Sequence, residues 1–229
     1  MGNLYIVATP IGNLQDITFR GVETLKKVDA IACEDTRKTS FLLRALGIQR
    51  DHKDLISYYE QNEATRIPQI ITFLKNGGNV ALVSDAGTPA ISDPGFKLIR
   101  ECIEEDIKVE SIPGASSVIS SLVVSGLPTD KFLFLGYPPR KPGHRIKFFE
   151  NIKDSYKFIE STIIIFEAPH KLLNTLNEMK DIFGDINVVV ERELTKIHEE
   201  VRREKISKSI EHFQKTAPKG EFVILFNLK

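Results

Sequence analysis

The sequence predicts an α/β protein of two domains, and three observations lead to that prediction. In the first half, five short apolar runs alternate with segments of helical periodicity, which is typical of a parallel or mostly parallel sheet. Four of these runs lead into polar loops that contain glycine or proline, so we expect one edge of the sheet to carry the chemistry. The tripeptide Leu127-Pro128-Thr129 breaks the pattern, and a new series of strands and helices follows. We therefore expect α/β domains at 1–115 and 116–229, with a mixed arrangement in the second.

The elements of the first half follow from apolar spacing and from the residues that stop helices. Strands are expected at 4–8, 30–33, 55–58, 80–83 and 108–112. Helices are expected from Asp16 or Thr18 to about 28, at 38–46, at 64–76 with Pro68 inside, from 93 onwards, and up to 124. No loop has the spacing of a dinucleotide fingerprint or of a P-loop, so neither ligand class has its usual signature here.

The stretch 80–95, VALVSDAGTPAISDPG, is the most informative part of the chain. A buried strand runs into a loop rich in Gly, Pro, Ser and Asp, and Asp93 and Pro94 are expected to be the N-cap and first residue of the next helix. Gly87 permits positive φ or close approach of a ligand. The oxygen-rich side chains suit a hydroxylated or cationic ligand better than a phosphate. The alternative interpretation is an ordinary connection whose polar side chains only cap the backbone.

The second half is expected to contain strands at 132–135, 162–166, 187–190, 198–204 and 222–226, with helices ending near 183 and spanning 206–213. Residues 137–145 are predicted to form a surface loop held by three prolines and rich in basic side chains. We expect these charges to contact phosphate, the alternative being a solvated turn.

The totals exclude several classes of protein. Lys and Arg together number 31 and so do Asp and Glu, so any nucleic-acid binding must come from a local basic patch. No apolar run approaches the ~20 residues of a membrane span and the first residues lack signal-peptide features, so a cytoplasmic protein without membrane contact is expected. The chain has two cysteines and five histidines, without ligand spacing, so we expect no disulfide framework and no metal.

Eight motifs, in order along nearly the whole chain, resemble those of the ribosomal RNA small subunit methyltransferase I family within the tetrapyrrole methylase superfamily. They are VATPIGNLQDIT (7–18), EDTR (34–37), SYYEQNE (57–63), VSDAGTPAISDPG (83–95), PGASS (113–117), FEAPHK (166–171), ERELTK (191–196) and KGEFV (219–223). The resemblance implies two α/β domains of the tetrapyrrole methylase type with S-adenosylmethionine in a cleft between them. It also implies 2'-O-methylation of a cytidine ribose in the decoding region of 16S rRNA, within the 30S subunit, by a homodimer.

The resemblance also implies which residues bind the cofactor, and the catalytic candidates follow from their positions at strand exits. The cofactor-binding candidates are Pro10, Asp85, Gly87, Thr88, Pro89, Ile91, Ser116, Ser117, Phe166 and Leu194. Because a ribose hydroxyl is a poor nucleophile, a carboxylate base would help, and the strand-exit candidates are Asp35, Glu60 and Glu167. Arg37 and Lys196 are candidates for holding the target phosphate. The alternative for these charges is simple ion pairing, of Glu34 with Arg37 and of Glu193 with Lys196.

Two other functions stay open at this point. A small-molecule methylase of the tetrapyrrole type would need an apolar macrocycle pocket, against which the basic stretch 140–147 and the cations Arg37, Lys38 and Arg44 argue. A non-catalytic module that senses S-adenosylmethionine would bind the cofactor without methylating RNA. The family's usual PGPSA is PGASS at 113–117 here, a change that keeps the serine.

Overall fold

A computed structural model describes residues 1–49 and 53–229 of the chain. It divides into two compact units, Met1–Ser116 and Ser117–Lys229, a division next to the boundary expected from the sequence. Each unit has its own five-stranded sheet with helices packed on it, so the predicted α/β fold is confirmed.

The sheet of the first unit is entirely parallel. Its strands, in the spatial order β3-β2-β4-β1-β5, are β1 (Leu4–Val7), β2 (Ala30–Cys33), β3 (Asp54–Ser57), β4 (Val80–Val83) and β5 (Val109–Ile112). The central strands β2 and β4 are buried at every residue, which explains why they are continuous apolar runs rather than alternating ones. All five carboxyl ends therefore point to one edge, as predicted.

The helices of the first unit are α1 (Phe19–Lys27), α2 (Thr36–Ala45), α3 (Glu63–Lys75) and α4 (Phe96–Glu104), with a short 3-10 turn at Leu14–Asp16. Local capping explains where two of them begin. The Thr18 hydroxyl accepts a hydrogen bond from the Gly21 N–H at 3.0 Å, and the Asp35 carboxylate accepts one from the Arg37 N–H at 2.8 Å. Pro68 lies inside α3, as expected.

The prediction that Asp93 caps α4 and that Pro94 begins it is wrong. The helix starts at Phe96, its N-cap residue is Gly95 with φ of +137°, and no side chain caps it. A Cβ at Gly95 would lie 2.7 Å from Leu82 Cδ2, so the chain turns tightly against β4 at this glycine. Asp93 and Pro94 consequently belong to the loop.

The second unit has a mixed sheet in the spatial order β6-β7-β10-β8-β9. Its strands are β6 (Phe132–Phe134), β7 (Thr162–Glu167), β8 (Asn187–Arg192), β9 (Glu200–Lys205) and β10 (Phe222–Phe226), of which only the β6–β7 pair is parallel. Its helices are α5 (Ser117–Ser125), α6 (Pro142–Tyr156), α7 (Leu172–Phe183) and α8 (Ile206–Lys215). Phe149, Leu176 and Phe213, from three of these helices, pack in one core with sheet residues such as Val190 and Ile224.

The predicted loop at 137–145 is only partly a loop. Helix α6 begins at Pro142, so residues 142–145 form its first turn, and the sequence patterns had indicated no helix over 146–156. Pro142 occupies the first helical position, where its missing N–H and fixed φ are tolerated. The prolines thus start a helix here instead of only stiffening a loop.

Three further features bear on the excluded classes. Within residues 1–49 and 53–229, no helix has both the length and the apolar character needed to cross a membrane. Over the same residues, no group of three or more His, Cys, Asp or Glu side chains is placed to hold a metal ion. Cys33 and Cys102 are both buried, and they form no disulfide bond.

Candidate functional site

The loops that follow β1 and β4 are joined at the carboxyl edge of the first sheet. The Thr9 N–H donates to the Gly87 carbonyl at 2.9 Å, and the Gly87 N–H donates back to the Thr9 carbonyl at 3.0 Å. The buried Thr9 hydroxyl also donates to the Ser84 carbonyl at 3.2 Å. These bonds hold the two loops in one fixed arrangement.

Gly87 occupies a position that disfavours any other residue. Its φ is +82°, and a Cβ there would lie 3.2 Å from Ile11 Cγ2. Residues with a side chain rarely adopt such a backbone conformation. The expectation that this glycine serves positive φ is confirmed, and a substitution here would strain the loop whether or not a ligand binds.

The loop after β5 is attached to the same edge. The Thr88 hydroxyl donates to the Ala115 carbonyl at 3.0 Å, and a Cβ at Gly114 would lie 3.1 Å from the Cβ of Ala8. Three loops thereby converge, and they contain most of the proposed cofactor residues. Asp85 and Ile91 are exposed, Gly87 and Pro89 are buried, and Pro10, Thr88, Ser116 and Ser117 are half-buried.

The loop between β4 and α4 holds two residues in an unfavourable backbone conformation. Ala90 has φ of +68° and Ser92 has φ of +62°, although neither is glycine. Each such residue costs on the order of 1 kcal/mol, and strained residues cluster at ligand-binding loops. A loop kept in this conformation needs support at both ends.

Glu63 supplies that support at the second end. Its buried carboxylate accepts hydrogen bonds from the Tyr58 hydroxyl at 2.7 Å and from the Gly95 N–H at 3.2 Å, and it forms an ion pair with Lys97 at 2.8 Å. Burial alone would raise the pKa of Glu63, but the bonds from Lys97, Tyr58 and Gly95 outweigh it and lower the pKa. Sequence reasoning assigned no role to Glu63, because two of its three partners, Gly95 and Lys97, are distant from it in sequence.

The proposed catalytic residues Asp35 and Arg37 bind each other. Two guanidinium nitrogens of Arg37 donate to the Asp35 carboxylate at 3.0 and 2.7 Å, and these bonds hold the pKa of Asp35 well below its usual range. The expected alternative pairing of Glu34 with Arg37 is therefore wrong, since Asp35 takes that place. Glu60 is exposed, in the turn before α3.

Glu34 is the carboxyl group at this edge whose properties suit proton transfer. It follows β2 directly and is half-buried, and burial together with the negative charges of Asp93 and Asp85 raises its pKa to about 7. Asp85 itself pairs with Lys38 at 2.7 Å and accepts the Asp35 N–H at 3.2 Å. The sequence signal for Glu34 was its place immediately after a fully apolar strand, but sequence reasoning treated it only as an ion-pair partner.

In the second unit, Phe166 lies on β7 among aromatic rings. Its ring centroid is 4.8 Å from that of Phe134 and 5.5 Å from that of Tyr137, both edge-on. Across the sheet, Phe166 is in register with Val223 of β10, which in turn is in register with Glu191 of β8. These three residues form one row on one face of the sheet.

Glu167 and Lys196 have structural partners. The buried Glu167 carboxylate accepts hydrogen bonds from the Ala168 N–H at 2.8 Å and the Thr175 hydroxyl at 2.5 Å, which favours a role in joining β7 to α7. Lys196 bridges Glu193 at 2.9 Å and Glu221 at 2.8 Å, so the ion pair considered as its alternative is present.

The loop after β8 holds the last proposed cofactor residue. Leu194 is buried, and its neighbours Glu193 and Thr195 have φ of +53° and +63°. As in the loop after β4, non-glycine residues here adopt a strained conformation.

Glu191 is an unusual buried acid. It is fully buried, and neither carboxylate oxygen has a hydrogen-bond partner in the part of the chain that the structure describes. Burial raises its pKa to about 8, with a smaller opposing effect of Arg203 and a raising effect of Glu199. An ionised carboxylate is costly in such a place, so Glu191 is mostly neutral at pH 7.

Comparisons of the sequence with a family model and with curated proteins agree with each other. Residues 3–209 match the family model described as Tetrapyrrole (Corrin/Porphyrin) Methylases. A Thermotoga maritima protein named Ribosomal RNA small subunit methyltransferase I is 45% identical over 229 residues, which cover 100% of both chains. A Hydrogenobaculum protein of the same name is 48% identical, over 98% of this chain and 95% of its own. One from Halalkalibacterium halodurans is 44% identical, over 98% of this chain and 75% of its own.

Solved structures agree on the fold. A diphthine synthase superposes with a TM-score of 0.74 at 15% identity, over 99% of this chain and 90% of its own. A cobalt precorrin-4 methyltransferase superposes with a TM-score of 0.70 at 17% identity, over 97% and 94% of the two chains. At such low identity these likenesses concern the fold alone.

Proposed function

Since the chain belongs to the ribosomal RNA small subunit methyltransferase I family of tetrapyrrole methylases, we propose that it is an enzyme that transfers a methyl group to small-subunit ribosomal RNA. The observation that carries this proposal is 45% identity to a methyltransferase of that name, along the full length of both proteins. No segment of the relative is left without a counterpart here.

We propose S-adenosylmethionine as the methyl donor, held at the carboxyl edge of the first sheet. The loops at 9–13, 84–95 and 113–117 contain no lysine or arginine, which disfavours a ligand that carries phosphates. They offer backbone groups, hydroxyls, carboxylates and the 47% exposed side chain of Ile91, which fit a ligand with an adenine, a ribose and positive charge. When bound, S-adenosylmethionine supplies a methyl group on a positively charged sulfur.

Within that site, Asp85, Gly87, Thr88, Pro89 and Ile91 form the donor loop, with Pro10, Ser116 and Ser117 as further proposed contacts. The paired backbone bonds between Thr9 and Gly87 support this assignment, because they keep the loop in place before a ligand arrives. Phe166 and Leu194 remain proposed contacts on the family resemblance alone.

We propose Glu34 as the group that accepts the proton from the reacting hydroxyl. A base works best when its pKa is near the operating pH, and the pKa of Glu34 is raised to about 7. Positioning of the two reactants accounts for most of the rate, and a base adds roughly 10² to 10⁴-fold. Asp35 is less suited because the bonds from Arg37 lower its pKa and so make it a weaker base, and Glu167 is less suited because both its oxygens are engaged.

We further propose, from the family resemblance, that the acceptor is the 2'-oxygen of a cytidine in the decoding region of 16S rRNA. The proposed substrate is the assembled 30S particle, the proposed location is the cytoplasm and the proposed active form is a homodimer. Arg37, whose side chain is 89% exposed, remains a proposed phosphate contact despite its pairing with Asp35.

Transfer of tritiated methyl from S-adenosylmethionine to small subunits that lack this modification tests the proposal, followed by digestion of the RNA to nucleosides. Label in 2'-O-methylcytidine is the expected result. Label in another nucleoside would support methylation of rRNA but contradict the proposal that a cytidine is modified. Cofactor binding without labelled RNA would instead favour a sensing module or a small-molecule methylase.

A further inference from the structure

We infer that four residues around the start of α6 form an RNA-binding surface that contacts the phosphate backbone of the substrate. Arg145 supports the backbone of this surface. Arg140, Lys141, His144 and Lys147, named here the basic surface, are all exposed. The choice of RNA as the occupant rests on the proposed function. The structure distinguishes these exposed residues, which can contact phosphate, from Arg145, which supports them.

The basic surface is an exception in a chain without net charge. Lys and Arg number 31, as do Asp and Glu, yet no acidic residue occurs between Asp130 and Glu150. Within the described residues, Arg140, Lys141 and Lys147 form no ion pair with a carboxylate. By contrast, cations at the carboxyl edge of the first sheet are neutralised, Arg37 by Asp35 and Lys38 by Asp85. Cations without acidic partners are more available to phosphate than paired ones.

Arg145 differs from its neighbours, although the sequence groups it with them. Its side chain is only 5% exposed, and its guanidinium donates to Glu178 of α7 at 2.5 and 2.6 Å. It also donates to the Arg140 carbonyl at 3.5 Å. The arginine therefore ties the first turn of α6 to α7 and supports the backbone of the basic surface, but its own charge is already used.

The start of α6 adds to the attraction for anions. No side chain caps the helix, Pro142 is its first residue, and a Cβ at Gly143 would meet nothing within 4 Å. The amides of Gly143 and His144 in the first turn lack intrahelical acceptors, and the helix dipole places partial positive charge there. These features strengthen a site that the cations define.

The position of the basic surface suits an RNA whose ribose is to react. Tyr137 packs on Phe166, a proposed cofactor contact of the same unit. Arg140 follows three residues later, so its Cα lies at most ~11 Å from that of Tyr137. A strand held by the basic surface would place its neighbouring nucleotides beside the exposed ring of Tyr137, which bases can stack on.

The test compares two variants with equal loss of charge. In the first, Arg140→Ala, Lys141→Ala and Lys147→Ala are combined. The control combines Lys180→Ala, Lys205→Ala and Lys208→Ala, three exposed cations of the same unit. Affinity for deproteinised 16S rRNA and for unmodified small subunits is measured between 50 and 300 mM salt, together with the KM and kcat of methyl transfer and the affinity for S-adenosylmethionine.

We expect the first variant to bind both RNA probes roughly tenfold or more weakly, with a salt slope lower by about 2, since each lost phosphate contact removes about 0.7 to 0.9 of a released counterion. Its KM for subunits should rise while kcat and cofactor affinity stay unchanged. An unchanged slope, or an equal loss in the control, would overturn the inference. Weakened binding to subunits alone would point to a ribosomal protein as the occupant and would also overturn it.

The role of Arg145 has its own test. Arg145→Met with Glu178→Leu replaces the ion pair by apolar side chains that can still pack α6 on α7, so we expect it to keep the RNA affinity and salt slope of the wild type. A salt slope lower by about 0.7 to 0.9 in a folded double variant would make Arg145 a phosphate contact instead. If the wild type binds RNA but transfers no methyl, the proposed function fails while the basic surface stands.

Discussion

The carboxyl edge of the first sheet and the basic surface of the second unit attract ligands by different means. At the edge, loops are held by backbone hydrogen bonds and by glycine at positive φ, and the cations present are paired with carboxylates. At the basic surface, the exposed side chains of Arg140, Lys141 and Lys147 form no ion pair with a carboxylate of the described residues, and the buried Arg145 beside them is fixed by Glu178. The proposed roles of the two regions fit this difference, since a fixed loop suits recognition of a small cofactor by shape and exposed cations suit recognition of a polyanion by charge.

The largest effect expected is at the anchor of the basic surface. Arg145→Met alone leaves the Glu178 carboxylate without its partner in a half-buried place, and should destabilise the second unit by roughly 3 kcal/mol. Adding Glu178→Leu should restore most of that stability. Denaturant unfolding measures both, and Lys147→Met is the control, since its side chain is exposed and unpaired. Equal, small effects of Arg145→Met and Lys147→Met would show that Arg145 stabilises the second unit no more than an exposed cation does.

The next effect concerns the edge. Thr88→Trp should weaken S-adenosylmethionine binding by 100-fold or more, because a large side chain would fill the space beside the donor loop, an effect of ~2.7 kcal/mol. Thr88→Ser keeps the hydroxyl that donates to Ala115 and should bind nearly as the wild type does. Calorimetry on folded variants decides. Near-normal affinity of a folded Thr88→Trp variant would take this loop out of the site.

Whether the sequence predicted an element correctly depended on how completely that element is buried. The strands β2, β4 and β10 match their predicted bounds because each is a continuous apolar run with turn residues nearby. The helix α6 was missed because prolines precede it and its exposed positions include Ile146. Local sequence patterns therefore predict elements that are almost completely buried. They fail for helices whose buried and exposed faces differ little in hydrophobicity.

Side-chain pairing over long sequence distances escaped prediction. The burial of Arg145 depends on Glu178, 33 residues away, so its sequence neighbours could not reveal it. Glu191 lies on the inner strand β8, between β9 and β10, a position that the sequence pattern does not specify. Asp35 was a candidate base because it sits at a strand exit, but its position as N-cap of α2 brings Arg37 to it.

A comparable effect is expected at the proposed base. Glu34→Gln should lower kcat by roughly 10² to 10³-fold without changing the affinity for S-adenosylmethionine, because an amide cannot accept the proton. In the wild type, kcat should rise with pH as Glu34 ionises, with a midpoint near its pKa of about 7. The rate profile should be flat in the variant. A variant that keeps the wild-type rise with pH would show that another group is the base.

The last effect is a pH dependence of stability due to Glu191. Its pKa is raised from 4.5 to about 8 in the folded chain, so the unfolded chain releases this proton first as pH rises. Stability from this group is therefore complete below pH 4.5 and falls between pH 4.5 and 8, by at most ~1.4 kcal/mol per pH unit. Unfolding of the wild type and of Glu191→Gln over pH 5 to 8 should show a steeper decline in the wild type. Parallel curves would mean that Glu191 is solvated and normally ionised.

The most direct test of the division between the two regions crosses their variants in one experiment. The dissociation constants for S-adenosylmethionine and for unmodified small subunits are measured for Thr88→Trp and for the combined Arg140→Ala, Lys141→Ala and Lys147→Ala variant. The account predicts that the first variant loses the cofactor and keeps the subunit, and that the second keeps the cofactor and binds the subunit roughly tenfold or more weakly. Loss of both ligands in each folded variant would contradict it.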